Sequence, residues 1–395
     1  MKILHIVING TYTPGMAYQD NILPRYHALA GHQVTIMASC RVYDKTEKKL
    51  ITVPAGERRM PDGELLIRVP FRKIVNAQIS DRLRLVPDLE QRLEQIAPEF
   101  IMLHGVSTLS IPALKRYMEK HPSVRLIIDN HADFSNSGTN PLSHYLLHRG
   151  LWRRMTRIIA PVTETFYGVI PARVDFLINE YGAPRDKCAL LLMGADDELA
   201  EKAESPEIIR ETRERYGIGA DDFLIVTGGA INQTKKQTLL LMQAVKELAE
   251  ERVKLLIFGS VSKELREEFD ALTDGLRIRY IGWQDAEDTY PVIAAADLAV
   301  YPGRHSTLWE QTAGQGIPMV CKYWDGTTHV DGGGNVRFIY HDNTEEILEI
   351  LRGLLADEDC YRRMKRSAGE NRQRFSYRRI AEESLAVRGN GFGKV

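Results

Sequence analysis

The chain has 395 residues, 44% hydrophobic and 27% charged, with 52 basic against 53 acidic side chains and a formal net charge of −1. This length predicts two domains, and the balanced charge argues against a nucleic-acid partner, which favours a basic excess. No apolar run is long enough to span a bilayer, the first ten residues resemble a strand rather than a signal peptide, and the four cysteines have no metal-ligand spacing. A cytoplasmic protein is expected.

Apolar strands alternate with amphipathic helices in the first half. Strands are predicted at 2–8, 33–39, 65–70, 101–106, 124–130, 157–163 and 188–193, and helices at 21–32, 89–100 and 111–121. This alternation indicates a parallel sheet with helices on both faces.

A polar segment, 194–222, reads as a connection between domains plus a solvated helix, and a second alternating unit follows. Its strands are predicted at 223–229, 253–260, 278–283, 297–303, 318–324 and 338–342, with a helix from Lys235 to about Glu251 and a helical end through Leu385. The predicted α/β fold has two Rossmann-like domains, 1–195 and 196–375, facing across a cleft. Residues 376–395 form a C-terminal helix and tail that return to the first domain. Ligands in such folds bind at the carboxyl ends of the strands.

Three loops at strand ends are candidates for that site. In the first, 9–16, Gly10 and Gly15 permit close approach of a diphosphate to the backbone, although a plain surface loop has the same composition. It lacks the GxGxxG pattern, and the only similar stretch, at 389–393, has no helix after it, so a dinucleotide dehydrogenase is not indicated.

The second loop, 227–237, places Lys235 and Lys236 at a predicted helix start, where the helix dipole disfavours cations. A bound phosphate would reverse that cost, whereas the alternative is a solvated lysine pair. The third, 301–320, offers polar groups suited to ribose hydroxyls, although Thr307 and Glu310 also have the spacing of a capping box. Its candidate residues are Arg304, His305, Ser306, Glu310 and Gln311.

These loops carry a resemblance to a known family. The stretches GGAINQTKKQTLLLMQA (228–244), IRYIGWQDAEDTYPVIAAADLAVYPG (278–303) and EQTAGQGIPMV (310–320) resemble the nucleotide-binding domain of family 4 glycosyltransferases, the retaining GT-B enzymes. TPGM at 13–16 and the histidine of IIDNHAD extend the likeness into the first half.

The resemblance implies transfer of a sugar from a nucleotide-sugar donor to a glycan or lipid-linked acceptor, with retention of configuration and with no metal or cofactor. By similarity, Lys236 stabilises the leaving diphosphate, Glu310 holds the ribose and His131 lies near the donor sugar. The remaining donor-binding candidates are Gly15, Gly229, Trp283, Gln284, Arg304, His305, Ser306 and Gln311.

The sequence departs from the family pattern in three places. Ile231 replaces an arginine, Arg304 and His305 stand where the first motif glutamate falls, and Gln311 rather than Glu310 has the register of the second. A same-fold sugar-nucleotide epimerase and a catalytically weak binding subunit therefore stay open as alternatives.

Two further features have alternative interpretations. His131 is either a donor contact or a hydrogen-bonded structural residue, and Asp133 either orients it or caps the next segment, while His104 is taken as structural. The basic segment 144–157, interleaved with Leu and Trp, either lies on the anionic inner face of a membrane or packs on its own domain.

Overall fold

The computed structural model describes residues 1–44, 49–134, 137 and 144–386. The glycine-rich stretch at 389–393, the end of the predicted C-terminal tail and part of the segment before the basic helix lie outside these residues. Two compact units are present, Met1–Leu192 with the end of the chain from Ala381, and Met193–Ile380. The boundary at Ile380 falls inside the last helix.

The first unit contains an eight-stranded sheet with the order β10-β9-β8-β7-β1-β2-β6-β5. All its strands run parallel except β5, which pairs antiparallel with β6 at the edge. The unit's strands are β1 (Lys2–Val7), β2 (Gln33–Ser39), β3 (Arg41–Asp44), β4 (Lys49–Thr52), β5 (Gly56–Arg59), β6 (Leu65–Val69), β7 (Phe100–His104), β8 (Arg125–Asn130), β9 (Thr165–Gly168) and β10 (Cys188–Leu190).

The second unit contains a six-stranded, entirely parallel sheet with the order β13-β12-β11-β14-β15-β16. Its strands are β11 (Phe223–Ile231), β12 (Val253–Val261), β13 (Ile278–Tyr280), β14 (Leu298–Tyr301), β15 (Met319–Lys322) and β16 (Val336–Ile339). The predicted fold class, parallel sheets flanked by helices in two domains, is confirmed.

Fifteen α-helices connect these strands in the described part of the chain. They are α1 (Gln19–Leu29), α2 (Ala77–Leu83), α3 (Leu89–Ile96), α4 (Ile111–Lys120), α5 (Arg153–Ile159), α6 (Pro171–Asn179), α7 (Asp197–Ala203), α8 (Pro206–Arg215), α9 (Thr238–Glu247), α10 (Arg266–Leu272), α11 (Ala286–Ala294), α12 (Leu308–Gly314), α13 (Thr344–Ala356), α14 (Glu358–Asn371) and α15 (Tyr377–Leu385). A π-helix, His144–Trp152, precedes α5.

The structure differs from the sequence-based prediction in one misassigned stretch and in three strands that were not predicted. The stretch 157–163 was expected as a strand, but it contains the end of α5 and the 3₁₀ turn Ala160–Val162, and the strand follows as β9. An apolar run this short does not separate a buried helix from a strand. Strands β3, β4 and β5 were not predicted, because they are short and lack an apolar alternation, and β4 and β5 are also mostly exposed.

The central strands are hydrophobic because both faces of each sheet are covered. Every residue of β7 and of β14 is buried, and each unit has its own apolar core. Parallel sheets buried on two faces have such continuous apolar runs. In the described residues no helix is both long and apolar enough to cross a membrane.

Two glycines allow β11 and β12 to approach closely at their carboxyl ends. Gly259 has φ +118°, and a Cβ built on it would lie 2.0 Å from the carbonyl oxygen of Gly229. Gly229 itself has φ +113°. Both conformations favour glycine, and the first leaves no space for a side chain.

We therefore expect Gly259→Ala to destabilise the second unit by about 2–3 kcal/mol, since both backbone strain and overpacking oppose it. Urea denaturation followed by tryptophan fluorescence measures the loss. The matched control is Gly353→Ala within α13, where a Cβ meets nothing within 4 Å. That change should stabilise by about 0.5–1 kcal/mol, because alanine is the better helix former. Equal stability of the Gly259→Ala variant and the wild type would contradict the close approach.

Candidate functional site

At the carboxyl edge of the second sheet, the loops after β11 and β14 lie against each other. Lys235 and Lys236 are in the loop before α9, which begins at Thr238 rather than at Lys235 as predicted. A Cβ built on Gly303, after β14, would lie 3.4 Å from the Cα and Cβ of Lys235. Lys235 is half-buried, whereas Lys236 is exposed. The two loops thus bring a lysine backbone against the predicted donor-binding turn.

The two lysines have different surroundings. Burial lowers the pKa of Lys235, and the positive charge of Arg304 lowers it further. Partial burial would raise the pKa of Asp342, but hydrogen bonds from Lys322 and Gln237 and the charge of Lys236 hold it below its ordinary value. Lys235 therefore belongs to a cationic pair with Arg304, and Lys236 lies toward a carboxylate.

Glu310 is fully buried in α12 and is held by two imidazoles. Its Oε1 lies 2.7 Å from His305 Nε2 and 2.7 Å from His329 Nε2. Burial alone would raise the pKa of Glu310, but the two histidines lower it well below its ordinary range. His305 also packs edge-on against Trp309, with ring centroids 5.1 Å apart. The cluster fixes the His305 ring on two sides.

His329 comes from the loop between β15 and β16, which the sequence analysis did not single out. Asp331 and Asn335 accept hydrogen bonds from Gly332, Gly333 and Gly334 within this loop. The Asn335 amide also donates to the Val330 carbonyl at 2.9 Å. The stretch HVDGGGN is therefore a folded turn rather than a bare linker, and its turn residues were the available signal.

The capping-box interpretation of Glu310 is wrong. Thr307 precedes α12 without a side-chain capping bond. The Glu310 carboxylate instead accepts hydrogen bonds from the two imidazoles, and its other oxygen is buried without a hydrogen-bond partner. A charged group with no access to water needs such donors.

The other predicted donor-binding residues of this unit differ in exposure. Gln311 is buried and donates to Thr289 Oγ1 on α11 at 2.8 Å. Trp283 is 67% exposed, and the Gln284 amide donates to the Ile281 carbonyl at 3.0 Å. Ser306 is half-buried at the turn before α12, and its carbonyl accepts from the Trp309 amide. The indole of Trp283 thus presents an open aromatic face, while Gln311 is engaged inside the unit.

At the carboxyl edge of the first sheet, loop 9–16 is attached to the loop after β7. Asn9 donates to the carbonyls of His104 and Gly105 at 2.6 and 2.5 Å. Gly15 is exposed and has φ +76°, a conformation that favours glycine. This arrangement holds the start of the loop and leaves its glycine accessible.

His131 lies beside a carboxylate that the sequence analysis missed. Its Nε2 is 3.4 Å from Asp129 Oδ2, and its side chain is 39% exposed. Asp129 is fully buried in β8 and lies 2.7 Å from His104 Nδ1. Asp133, the candidate partner, accepts a hydrogen bond from Arg173 at 2.9 Å. The signal for Asp129 was its position two residues before the histidine, which the apolar context of the strand concealed.

Two clusters have the spacing of metal ligands, namely His104, Asp129 and His131, and His305, Glu310 and His329. Their shortest N–O separations are 2.7 Å, which match charge-assisted N–H···O bonds. Donor atoms that share one tetrahedral zinc ion lie about 3.3 Å apart. We assign neither cluster to a metal, and metal independence stays a prediction.

The buried Glu310 carboxylate predicts a pH-dependent stability. Its folded pKa is depressed, so its contribution is present above the unfolded value of about 4.3 and is lost as the pH falls below it. Glu310→Gln should cost about 3 kcal/mol at pH 7, and this difference should shrink toward pH 3. Urea denaturation across that range measures it. Glu349→Gln, at an exposed position on α13, is the control. A pH-independent difference would contradict the charged cluster.

Residues 222–357 match the family model of glycosyl transferases group 1. These residues run from the start of β11 to just beyond α13, and they contain both lysines and the Glu310 cluster. No curated protein matches the sequence.

Solved structures share the fold over nearly the whole chain. HepE from Anabaena in complex with UDP has a TM-score of 0.64 at 15% identity and covers 97% of this chain and 98% of its own. WaaG, a glycosyltransferase involved in lipopolysaccharide biosynthesis, has a TM-score of 0.66 at 14% identity, with the same coverage of 97% and 98%. UDP-GlcNAc 2-epimerase from Neisseria meningitidis, bound to UDP-GlcNAc, has a TM-score of 0.62 at 13% identity, covering 98% of each chain.

These structures show that the chain has the GT-B fold. Within its second unit, residues 222–357 are similar to the group 1 glycosyltransferases.

Proposed function

We propose that the chain is a retaining glycosyltransferase that moves a sugar from a nucleotide-diphosphate sugar to a glycan or lipid-linked acceptor. The observation that carries the proposal is the meeting of the Lys235–Lys236 loop with the Arg304–His305 turn, inside the residues that match the family. Cations fixed at the carboxyl end of a parallel sheet suit a diphosphate.

The leaving diphosphate is assigned to Lys236, with Lys235 and Arg304 beside it. Burial and the nearby positive charge of Arg304 both lower the pKa of Lys235. A bound diphosphate would compensate both positive charges. Negative charge that develops on the leaving group would therefore be stabilised without rearrangement of the protein.

Glu310 is assigned to positioning rather than to direct contact with the ribose. Its carboxylate is fully buried and accepts from His305 and His329. His305 lies one residue after Arg304 in the turn and is thus the ring placed to contact the donor. Ser306 and the exposed Trp283 complete the proposed donor surface of this unit.

In the first unit, His131 is the proposed contact of the donor sugar, and the Gly15 amide region is the proposed contact of the phosphates. His131 has a partly exposed ring beside Asp129, and Gly15 is exposed. HepE was solved with UDP and the epimerase with UDP-GlcNAc, so uridine nucleotides are the first donors to test.

The epimerase neighbour is the reason to keep a second candidate function. Its fold similarity covers 98% of this chain. An epimerase acts on the nucleotide sugar without an acceptor, whereas a transferase needs one. A catalytically weak subunit would bind a partner protein, and it would neither transfer nor epimerise the sugar.

Nucleotide binding is tested by thermal shift with UDP, GDP, ADP and CMP and their sugars. One nucleotide at about 100 times its Kd should stabilise the wild type by about 2.7 kcal/mol. Lys236→Ala should remove most of this shift, because an exposed cation near the diphosphate is lost. Lys235→Ala should weaken it as well, since the cationic pair is broken.

The control is Lys365→Ala, an exposed position on α14, which should bind like the wild type. Product analysis with the stabilising nucleotide sugar, with EDTA and with or without a glycan acceptor, then separates transfer from epimerisation. No shift with any nucleotide would overturn the proposed function, and epimerised sugar without acceptor would favour the alternative. Loss of turnover in EDTA would contradict metal independence.

The segment 144–157 is proposed to place this cytoplasmic enzyme on the inner face of a membrane. Tyr145 and Leu146 are 62% and 63% exposed on the π-helix, and Arg154 and Arg157 are exposed on α5. Trp152 is buried, so it fastens the segment to its own unit. Exposed apolar residues next to arginines suit an anionic interface.

Tyr145→Ser with Leu146→Ser should reduce binding to phosphatidylglycerol vesicles severalfold, because the inserted apolar side chains are lost. Co-sedimentation at low and high salt measures binding, and salt should weaken it. Leu50→Ser, at another exposed apolar position of the first unit, is the matched control. Equal sedimentation of wild type and double variant would contradict membrane contact through this segment.

A further inference from the structure

A row of buried imidazoles crosses the first unit beneath its carboxyl edge. His27 on α1, His5 on β1 and His104 on β7 are 0%, 0% and 4% exposed. His27 Nδ1 lies 2.9 Å from His5 Nε2, and His5 Nδ1 lies 3.0 Å from His104 Nε2. We call these three rings the imidazole chain. Each ring uses both nitrogens, so the chain is continuous.

The two ends of the imidazole chain lie on different elements. At one end, His104 Nδ1 contacts Asp129 Oδ2, which also lies 3.4 Å from His131 Nε2. At the other, His27 Nε2 is 2.9 Å from Ser384 Oγ and 3.2 Å from the Ala381 carbonyl, both on α15. The chain thus joins the carboxylate beside His131 to the C-terminal helix.

The number of available hydrogens limits the tautomers that the three rings of the imidazole chain can adopt. Each of its four contacts needs one hydrogen, and three neutral imidazoles supply three. Because a carboxylate only accepts, His104 must donate from Nδ1 to Asp129, and His5 and His27 must then donate from Nδ1 in turn. The fourth hydrogen comes from the Ser384 hydroxyl, which must then donate to His27 rather than to the Ala381 carbonyl, its other acceptor at 2.8 Å.

When one proton is added, the same four contacts are satisfied, but every hydrogen bond except that from His104 to Asp129 reverses its direction. His104 then becomes an imidazolium, His5 and His27 carry their hydrogens on Nε2, and His27 donates to the end of α15. Burial would lower the pKa of His104, but Asp129 raises it above its ordinary value. Burial lowers the pKa of His5 well below its ordinary value and that of His27 to about 4. The added proton therefore resides on His104.

We propose that Asp129 is the positioning residue of His131, and that the imidazole chain behind it sets how strongly Asp129 holds that ring. With a neutral chain, the buried negative charge of Asp129 is shared with His131. With His104 protonated, that charge is compensated from the buried side and the hold weakens. The role of His131 as a contact of the donor sugar rests on the proposed function. The existence of the imidazole chain does not.

Other titratable groups face this cluster from α1 and from the turn after it. Asp20 interacts with Asp129, His104 and His131, and burial raises its pKa. His32 lies with its ring centroid 6.4 Å from that of His27. Asp20 lies near the exposed end of the cluster and favours the added proton on the side of Asp129. Burial and the charge of the N-terminal amine lower the pKa of His32, which favours its neutral ring.

The test uses the full-length protein with ¹⁵N-labelled histidine. Long-range proton–nitrogen spectra distinguish Nδ1–H from Nε2–H in each of the 11 histidines, which single histidine variants assign. In Asp129→Asn, the amide can either accept from His104 Nδ1–H through its oxygen or donate to Nδ1 through its NH2 group. In either case His104, His5 and His27 of the neutral imidazole chain must share one tautomer, because the hydrogen of each ring fixes that of the next. The His131 signals should change in the same variant.

Asp133→Asn is the matched control, because Asp133 is a neighbouring buried carboxylate bonded to Arg173. It should leave the three tautomers as they are. If the three neutral rings do not share one tautomer in the wild type and in Asp129→Asn, the continuous chain is overturned. If His131 responds to Asp133→Asn and not to Asp129→Asn, the positioning role is overturned.

Ser384→Ala tests the far end without touching the carboxylate. The neutral chain then loses its donor to His27 while the protonated chain keeps the Ala381 carbonyl as acceptor. The titration midpoint of His104 should therefore rise by about one pH unit, the effect of losing one buried hydrogen bond. An unchanged midpoint would overturn the coupling to α15.

Kinetics give the readout at the site. Asp129→Asn should lower kcat about tenfold or more with little change in KM for the nucleotide sugar, because the ring is misplaced rather than removed. Wild-type kcat should fall as the pH drops through the His104 midpoint, and this dependence should vanish in the variant. A kcat of Asp129→Asn equal to that of the wild type would overturn the positioning role of Asp129. Absence of turnover in both proteins would overturn the proposed function. The histidine tautomers would still test whether the imidazole chain is continuous.

Discussion

A carboxylate buried at the carboxyl edge of a parallel sheet must find hydrogen-bond donors inside the protein. Each unit meets this constraint in the same way, with two imidazoles on one oxygen. Asp129 lies between His104 and His131 in the first unit. The carboxylates of Asp129 and Glu310 are buried away from water. Without these donors, burial would favour their neutral forms. The rings in turn acquire a fixed orientation, which is what a binding surface requires.

In the second unit, Glu310 is satisfied by His305 and His329, and the backbone makes this cluster reachable. Gly229 and Gly259 let β11 and β12 approach at their carboxyl ends, and the loop after β14 lies against Lys235. Lys235 and Gly303 are thus far apart in the sequence but lie together at one edge of one sheet. Doubly wound folds typically carry their binding and catalytic residues on loops at strand ends, while the buried strands supply the rigid scaffold.

The departures from the family pattern have a physical interpretation in this arrangement. The position of the first motif glutamate is occupied by Arg304 and His305, and the carboxylate of Glu310 is withdrawn beneath His305. An exposed cation, Arg304, and a largely buried imidazole, His305, therefore stand where the family pattern has a carboxylate. Such a surface is more favourable to phosphate oxygens than to a second acceptor group.

Much of the fold could be predicted from local sequence. Buried parallel strands have continuous apolar runs, so most strands of both sheets were recognisable, as was the fold class. The stretch 157–163 was misassigned, since a short apolar run is compatible with helix or strand. The short strands β3 to β5 were not recognised because they carry little apolar pattern.

For the candidate site, local sequence shows which segments at strand ends carry polar and glycine residues, including Lys236, His131 and Glu310. The surroundings of these residues depend on tertiary packing. Asp129 and His329 were missed because their partners come from other strands and loops, and burial of a carboxylate is a property of packing, not of residue type. Local pattern specifies which residues are offered at an edge, whereas the pairing of strands specifies which of them meet.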